Sequence, residues 1–254
     1  MNSNLIFLTE EDLDKPIYRI FSFGRLREIF DEKMLTLVKP IKWDDPFENF
    51  ILKAEGQMND GRRFGFAARH CFYGQCWSLT RESDAMWRIY SPEKDGVKVK
   101  TTIRKLFTPF FNLSGQHYKP NGDLYNLSCF IGKVSYESTK FLLEMLNDKV
   151  RMTSKVFDQS GWGQASTFLF KRWAFRHEHE VRLLYFNHGD ISSDRFMFPI
   201  SPNDIFEEIV FDPRMKKDVY QDNKNLVVNW GYQNKIIQSG LYKLLDFRIK
   251  VDPI

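Results

Sequence analysis

The chain has 254 residues, 43% of them hydrophobic and 28% charged, with a formal net charge of +4. Such usage supports a packed core and excludes disordered and fibrous classes. No apolar run approaches the roughly 20 residues of a membrane helix, and the acidic opening over residues 1–15 does not read as a secretory signal, so a cytoplasmic protein without a membrane partner is expected.

In chain order, Ile17 to Phe21 reads as a strand, and Ser22 then caps a helix whose apolar positions Leu26, Ile29 and Phe30 recur at helical spacing. Met34 to Val38 is the next strand, closed by Pro40 and by the turn-forming run Trp43-Asp44-Asp45-Pro46-Phe47-Glu48, with Asp45 extended before Pro46. Residues 54–69 show little period and read as a loop or short frayed helix. Cys71 to Leu79 suits a strand, Glu82 to Tyr90 a short helix, and Gly96 to Lys100 a strand. Further elements are a strand at Ile131 to Tyr136, helices at Thr139 to Val150 and Thr167 to Phe175, and a strand at Glu180 to Phe186. Strands at Phe196 to Ile200 and Glu208 to Phe211, a helix at Met215 to Trp230, and a closing strand within Ile236 to Val251 complete the reading. No repeat, low-complexity tract or Gly-rich linker interrupts it, which predicts one α+β domain over residues 1–254. G-x-G-x-x-G and G-x-x-x-x-G-K-[ST] are both missing from the sequence, disfavouring Rossmann and P-loop nucleotide sites.

Three cysteines, Cys71, Cys76 and Cys129, are an odd count without C-x-x-C spacing and read as buried thiols, not as a disulfide framework or zinc knuckle. Residues 61–110 hold ten Lys/Arg against four Asp/Glu, enough to face a phosphate or, equally, a plain solvated surface. The segment from Lys171 to Tyr185 is the most informative. If Glu178 onward is extended, Glu178, Glu180 and Arg182 share one face and His177, His179 and Val181 the other. Neighbouring carboxylates repel, so one pKa should rise, as at many catalytic sites; a surface Glu180–Arg182 ladder is the competing reading.

The spaced set Tyr18-Arg19, the run from Trp43 to Glu48, Cys76-Trp77-Ser78, Met86-Trp87 with Tyr90, and Lys171 with Glu178-His179-Glu180-Val181-Arg182 resembles a bacterial family known as domain of unknown function 2971, over about Tyr18 to Phe211. Asp44 stands where that family's usual Asn-Asp-Pro-Phe-Glu has Asn. A second resemblance is to ADP-ribosyltransferases of the toxin-like group. These carry, in chain order, an Arg on an early strand, a Ser-containing strand, and a Glu preceded two residues earlier by Glu or Gln. Arg19, Ser78 and Glu178-His179-Glu180 fall in that order.

What this second resemblance implies is a mixed or antiparallel β-sheet core of ADP-ribosyltransferase-like type with flanking helices, and NAD as the cofactor-like substrate, with no metal. Arg19 would hold NAD phosphate or ribose, Ser78 would support the nicotinamide pocket, Glu180 would contact the nicotinamide ribose, and Glu178 would steer the acceptor. Trp77, Trp87 or Tyr90 would stack on nicotinamide or adenine, unless they are simply core aromatics. The acceptor, protein or nucleic acid, is left open, as are simple NAD hydrolysis and a neutralising partner protein; bacterial enzymes of this type are often toxins or phage-defence effectors. A purely structural interaction protein, such as a toxin's neutralising partner, is also compatible with the sequence, and two further rival readings stand beside it. One is a non-catalytic nucleotide- or nucleic-acid-binding module built on the basic 61–110 segment. The other is a metal-dependent hydrolase using His177 and His179 with Glu178 or a distant Asp, for which no third ligand has recognisable spacing.

Overall fold

The computed structural model describes residues 2–43, 45, 48, 50–113, 115–244 and 246–250. Its strands are β1 (Leu5–Ile6), β2 (Pro16–Ser22), β3 (Met34–Val38), β4 (Glu55–Gln57), β5 (Arg63–Gly65), β6 (Phe72–Ser78), β7 (Gly96–Thr102), β8 (Gln116–Tyr118), β9 (Leu124–Asn126), β10 (Cys129–Lys133), β11 (Ser135–Glu137), β12 (Phe170–Arg172), β13 (Glu180–Phe186), β14 (Arg195–Pro199), β15 (Glu208–Phe211) and β16 (Lys235–Gln238). The α-helices are α1 (Phe23–Glu32), α2 (Phe50–Lys53), α3 (Asp84–Tyr90), α4 (Ile103–Phe111), α5 (Thr139–Asn147), α6 (Lys149–Val156), α7 (Trp162–Ser166), α8 (Pro202–Ile205) and α9 (Lys217–Asn229).

Ten strands make one mixed sheet in the order β1-β10-β13-β6-β2-β7-β15-β16, with β3 joined to β6 and β14 to β3. This is the α+β class expected, with a mixed sheet. Most neighbours are antiparallel; β1 with β10 and β15 with β16 are parallel. Period-two alternation sorts the central side chains onto two faces. On one, Tyr73, Trp77, Val181 and Leu183 join Leu26, Ile29 and Phe30 of α1, Leu106 and Phe110 of α4, and Val227 of α9. On the other, Phe72 and Leu184 join Leu142 and Met145 of α5, Val156 of α6 and Phe168. Helix α3 covers a third patch through Met86 and Trp87 on Ile20 and Val210. Helices therefore flank the sheet on both faces, and each is pinned by a stripe of apolar residues that the sheet buries.

One edge of β6 is shared. Near its end Ser78 pairs with Tyr18 of β2, while further back Gly74 pairs with Val38 of β3. The sheet forks between these two points. Gly74 lets Trp43 lie against the strand there, because a Cβ at that position would come within 2.5 Å of the indole.

Several elements differ from expectation, each for a local reason. Residues 54–69 hold the β4–β5 hairpin and a 3-10 turn Ala67–His70 in place of a loop or frayed helix. The expected helix Thr167 to Phe175 is instead a 3-10 turn Thr167–Leu169, strand β12, and a second 3-10 turn Trp173–Glu178. Pairing of Phe170, Lys171 and Arg172 in parallel with β11 overrides their helical spacing. The helix from Thr139 stops at Asn147, since Asp148 caps a new one, accepting from Arg151 N at 3.0 Å. The strand at Ile131 breaks at Val134, whose N donates to Glu180 O at 2.9 Å. Helix α4 was not expected, because Pro109 masks the stripe of Leu106, Phe107, Phe110 and Phe111. The closing strand ends at Gln238, and Val251 lies outside the described residues. So do Asp44, Pro46 and Phe47 of the turn-forming run, although Glu48 N donates to Asp45 O at 2.9 Å as a turn requires.

Candidate active site

The fork opens a cleft of about 120 Å³ lined by Tyr18, Arg19, Ile20, Cys76, Trp77, Ser78, Met86, Tyr90, Glu178 and Glu180. Its floor follows from strand register. Glu180 sits opposite Ser78 and Arg182 opposite Cys76, so these four side chains share one face of the sheet. Glu178 is not on the strand, contrary to the expectation of an extended Glu178-His179-Glu180. It ends the 3-10 turn, and His179 at φ 43° then reverses the chain into β13. The two carboxylates converge all the same, because the corner folds Glu178 back over Glu180. Ser78 secures the corner: its Oγ donates to Glu178 O at 2.6 Å and accepts from Thr80 N at 3.0 Å.

Under the cleft lies a buried cage of three carboxylates and two cations. Lys171 Nζ is 2.6 Å from Glu178 Oε2, 2.7 Å from Glu180 Oε1 and 3.0 Å from Glu48 Oε1. Arg182, fully buried, binds Glu180 Oε2 through Nε at 2.6 Å and Glu48 Oε1 through Nη2 at 2.7 Å, and donates to Phe168 O through Nη1 at 2.7 Å. Its guanidinium lies 4.6 Å from the centre of the Trp43 ring. Each buried charge is thus met by opposite charge and by hydrogen bonds, the condition under which ions persist in an interior. The cage holds one more acid than base, and the imbalance is resolved at Glu178. Burial raises its carboxyl, and the adjoining Glu180 raises it further, to about 8. Burial also opposes charge on Glu180, but Arg182, a hydrogen bond from Glu178 and Lys171 more than offset this and hold it well below the usual carboxylate range. Lys171 stays charged for the same reason: burial works against it, and Glu180 and Glu48 prevail. One carboxylate is therefore held ionised beside another held protonated at neutral pH.

Arg19 lines the cleft, and among the described residues no carboxylate pairs with it. Burial pulls its pKa down to about 10, so it stays a cation at neutral pH. Tyr90, 43% exposed, borders the same space. Trp77 and Trp87 are placed differently. The indole of Trp77, 2% exposed, lies opposite Val181 on the face away from Glu180 and donates to Gln75 Oε1 at 2.8 Å. Trp87 is fully buried against Ile20 and Val210 and donates to Glu82 Oε1 at 2.9 Å. Trp87 is not among the residues that line the cleft; Trp77 is, but it is buried in the core cluster, so of the three aromatics only Tyr90 is both exposed and at the cleft. The sequence reading gave no role to Lys171 or Glu48 and cast Arg182 as Glu180's partner in a surface ladder; the pair forms, but buried. Lys171 and Glu48 were visible as motif residues, but Glu48 and Glu180 are 132 positions apart and only the fold brings them together.

His179 Nδ1 is 3.0 Å from Thr80 Oγ1, and among the described residues no three His, Cys, Asp or Glu side chains are grouped to hold a metal. Part of the basic 61–110 segment is tied up in ion pairs. Arg62, Arg63, Arg104 and Lys105 pair with Asp60, Glu55, Glu10 and Asp14, and Glu207, all outside it. Among the described residues no helix is long and apolar enough to cross a membrane.

Three structures of DarT from Thermus sp. 2.9 resemble the fold loosely. The complex with carba-NAD+ gives a TM-score of 0.37 at 12% identity over 91% of this chain and 97% of that one. The complex with NAD+ gives 0.38 at 11% identity over 89% and 96%, and that with ADP-ribosylated ssDNA gives 0.37 at 12% identity over 89% and 94%. No curated protein matches the chain. A family model does: it spans residues 86–183, a stretch that includes Tyr90, Lys171, Glu178, Glu180 and Arg182 but not Arg19, Glu48 or Ser78. Over that stretch the chain matches the family its motifs resemble, Protein of unknown function (DUF2971).

Proposed function

We propose that the cleft binds NAD and that the protein cleaves its nicotinamide–ribose bond, transferring ADP-ribose to an acceptor. The observation that carries this reading is the pairing of an ionised Glu180 with a protonated Glu178 in a cleft that Arg19 also lines, a cation with no carboxylate partner among the described residues. Breaking the bond sends its electron pair to the nicotinamide nitrogen, which becomes neutral, and leaves positive charge on the ribose carbon. A fixed carboxylate beside that carbon stabilises the developing charge, as carboxylates do in glycoside cleavage. Glu180 is suited to this, since Lys171 and Arg182 hold both of its oxygens in place. The acceptor's lone pair then forms the new bond, and its proton passes to Glu178 once that carboxyl is ionised. Arg19 supplies the opposite charge for the pyrophosphate, and Tyr90 a ring for stacking. The cavity is small, so it encloses only one end of the dinucleotide.

The test is nicotinamide release from NAD, followed by chromatography. Wild type should release it and Glu180→Gln should be slower by on the order of 10²–10³-fold, the usual cost of removing one preorganised electrostatic group. Release by Glu180→Gln at the wild-type rate would refute the assignment.

A further inference from the structure

Glu178 lines the cleft and ends the 3-10 turn Trp173–Glu178, so that turn leads up to the cleft's rim. Glu178 is the buried residue of that turn, while Trp173, Arg176, His177 and the following His179 face solvent. Trp173 is 57% exposed, an unusual state for so large an apolar ring, and Arg176 lies over it with its guanidinium carbon 5.0 Å from the ring centre. The neighbouring strand end adds a second cation. Thr80 Oγ1 contacts His179 Nδ1 at 3.0 Å, which places exposed Arg81 beside the same corner. Among the described residues neither Arg81 nor Arg176 pairs with a carboxylate, whereas the nearby acids are taken: Glu82 by Lys98, Asp84 by Arg88 and Asp45 by Arg172. The corner beside the cleft thus presents an exposed ring with Arg176 over one face, where Nη1 also donates to Trp173 O at 3.5 Å, and two guanidinium groups with no carboxylate partner among the described residues.

We infer that this rim is a platform for a single-stranded nucleic acid, with a base stacked on Trp173 and backbone phosphates on Arg81 and Arg176. As the acceptor of the transfer, that strand rests on the NAD reading above; its binding does not. Stacking on an exposed ring needs unpaired bases, which a duplex hides, and every base has a face to offer, so shape and charge rather than sequence should govern. An acidic peptide would satisfy the guanidinium groups but would leave Trp173 without a partner.

The test is fluorescence anisotropy without NAD, using a labelled mixed-sequence oligonucleotide of about 12 nucleotides, its duplex, and an oligoglutamate peptide. The single strand should bind most tightly. Trp173→Ala should weaken it roughly five- to hundred-fold, and Arg81→Ala with Arg176→Ala should lower the salt slope by about 1.4. Arg104→Ala, whose guanidinium is tied to Glu10 and Asp14, should change neither. These are exposed side chains, so the fold is expected to survive their removal. Equal or tighter binding of duplex or peptide, or an unchanged affinity in Trp173→Ala, would overturn the platform. Strand binding without nicotinamide release would sink the enzyme reading alone, and release without strand binding would sink the platform alone.

Discussion

Glu178 and Glu180 are the same chemical group two residues apart, yet the fold drives them in opposite directions. Both are buried, and what separates them is the partner count. Glu180 has a cation on each oxygen, while Glu178 shares Lys171 and faces its neighbour's charge. The sequence supports the statement that one of two adjoining carboxylates should be raised, but which one depends on Lys171, Arg182 and Glu48. A pH dependence follows. Glu178 sits at about 8, so below that value most molecules carry it protonated and unable to take the acceptor's proton. Transfer should therefore climb about tenfold per pH unit on the acid side and level off above pH 8. Glu178→Gln should remove the climb along with most of the transfer, measured as a pH–rate profile of labelled product. A flat wild-type profile would show that Glu178 is not the proton acceptor.

The geometry that brings the acids together belongs to elements, and there the sequence was partly legible. Strand β13 could be read from its alternation, and its register against β6 follows once both strands are known. The short parallel pair β11–β12 could not be read, because Phe170-Lys171-Arg172 lies in a stretch with helical spacing and becomes a strand only through contact with Ser135–Glu137. That pair is what delivers Lys171 to the cage. Replacing the ammonium by Lys171→Met leaves Glu48, Glu178 and Glu180 facing each other with Arg182 alone, and should cost about 3–5 kcal/mol of stability, seen as a lower denaturant midpoint with an unchanged slope. An effect below about 1 kcal/mol would place the cage in contact with solvent. The corner at His179 makes a separate prediction. A β-branched residue tolerates its positive φ poorly, so His179→Val should destabilise the protein by about 1–2 kcal/mol and slow transfer by misplacing Glu178, whereas His179→Gly should retain most activity.

At the scale of the whole molecule, the α+β class and most central strands were open to a reading of periodicity, since a sheet covered on both faces by helices imposes it on every element. The fork was hidden. Nothing local marks Ser78 as paired to one strand and Gly74 to another, and the cleft exists because of that divergence. Charge counting along the chain could not show the pairing: Arg62, Arg63, Lys100, Arg104 and Lys105 of the basic 61–110 segment meet Glu10, Asp14, Glu55, Asp60 and Glu207, which the fold brings beside it. Arg19, Arg81 and Arg176, which have no carboxylate partner among the described residues, come from three different parts of the chain. If Arg19 holds the pyrophosphate, NAD at about 100 times its Kd should stabilise the fold by about 2.7 kcal/mol, raising Tm by roughly 5–10 °C for a chain of this size. Arg19→Ala should lose most of that rise in a thermal melt.

The most direct test of the account is incubation of the purified protein with NAD labelled in its ADP-ribose moiety, with and without cell extract, beside folded Glu180→Gln and Arg19→Ala variants. The account predicts labelled product or released nicotinamide with wild type, and loss of both with either variant. No binding of NAD and no turnover in any extract would contradict it.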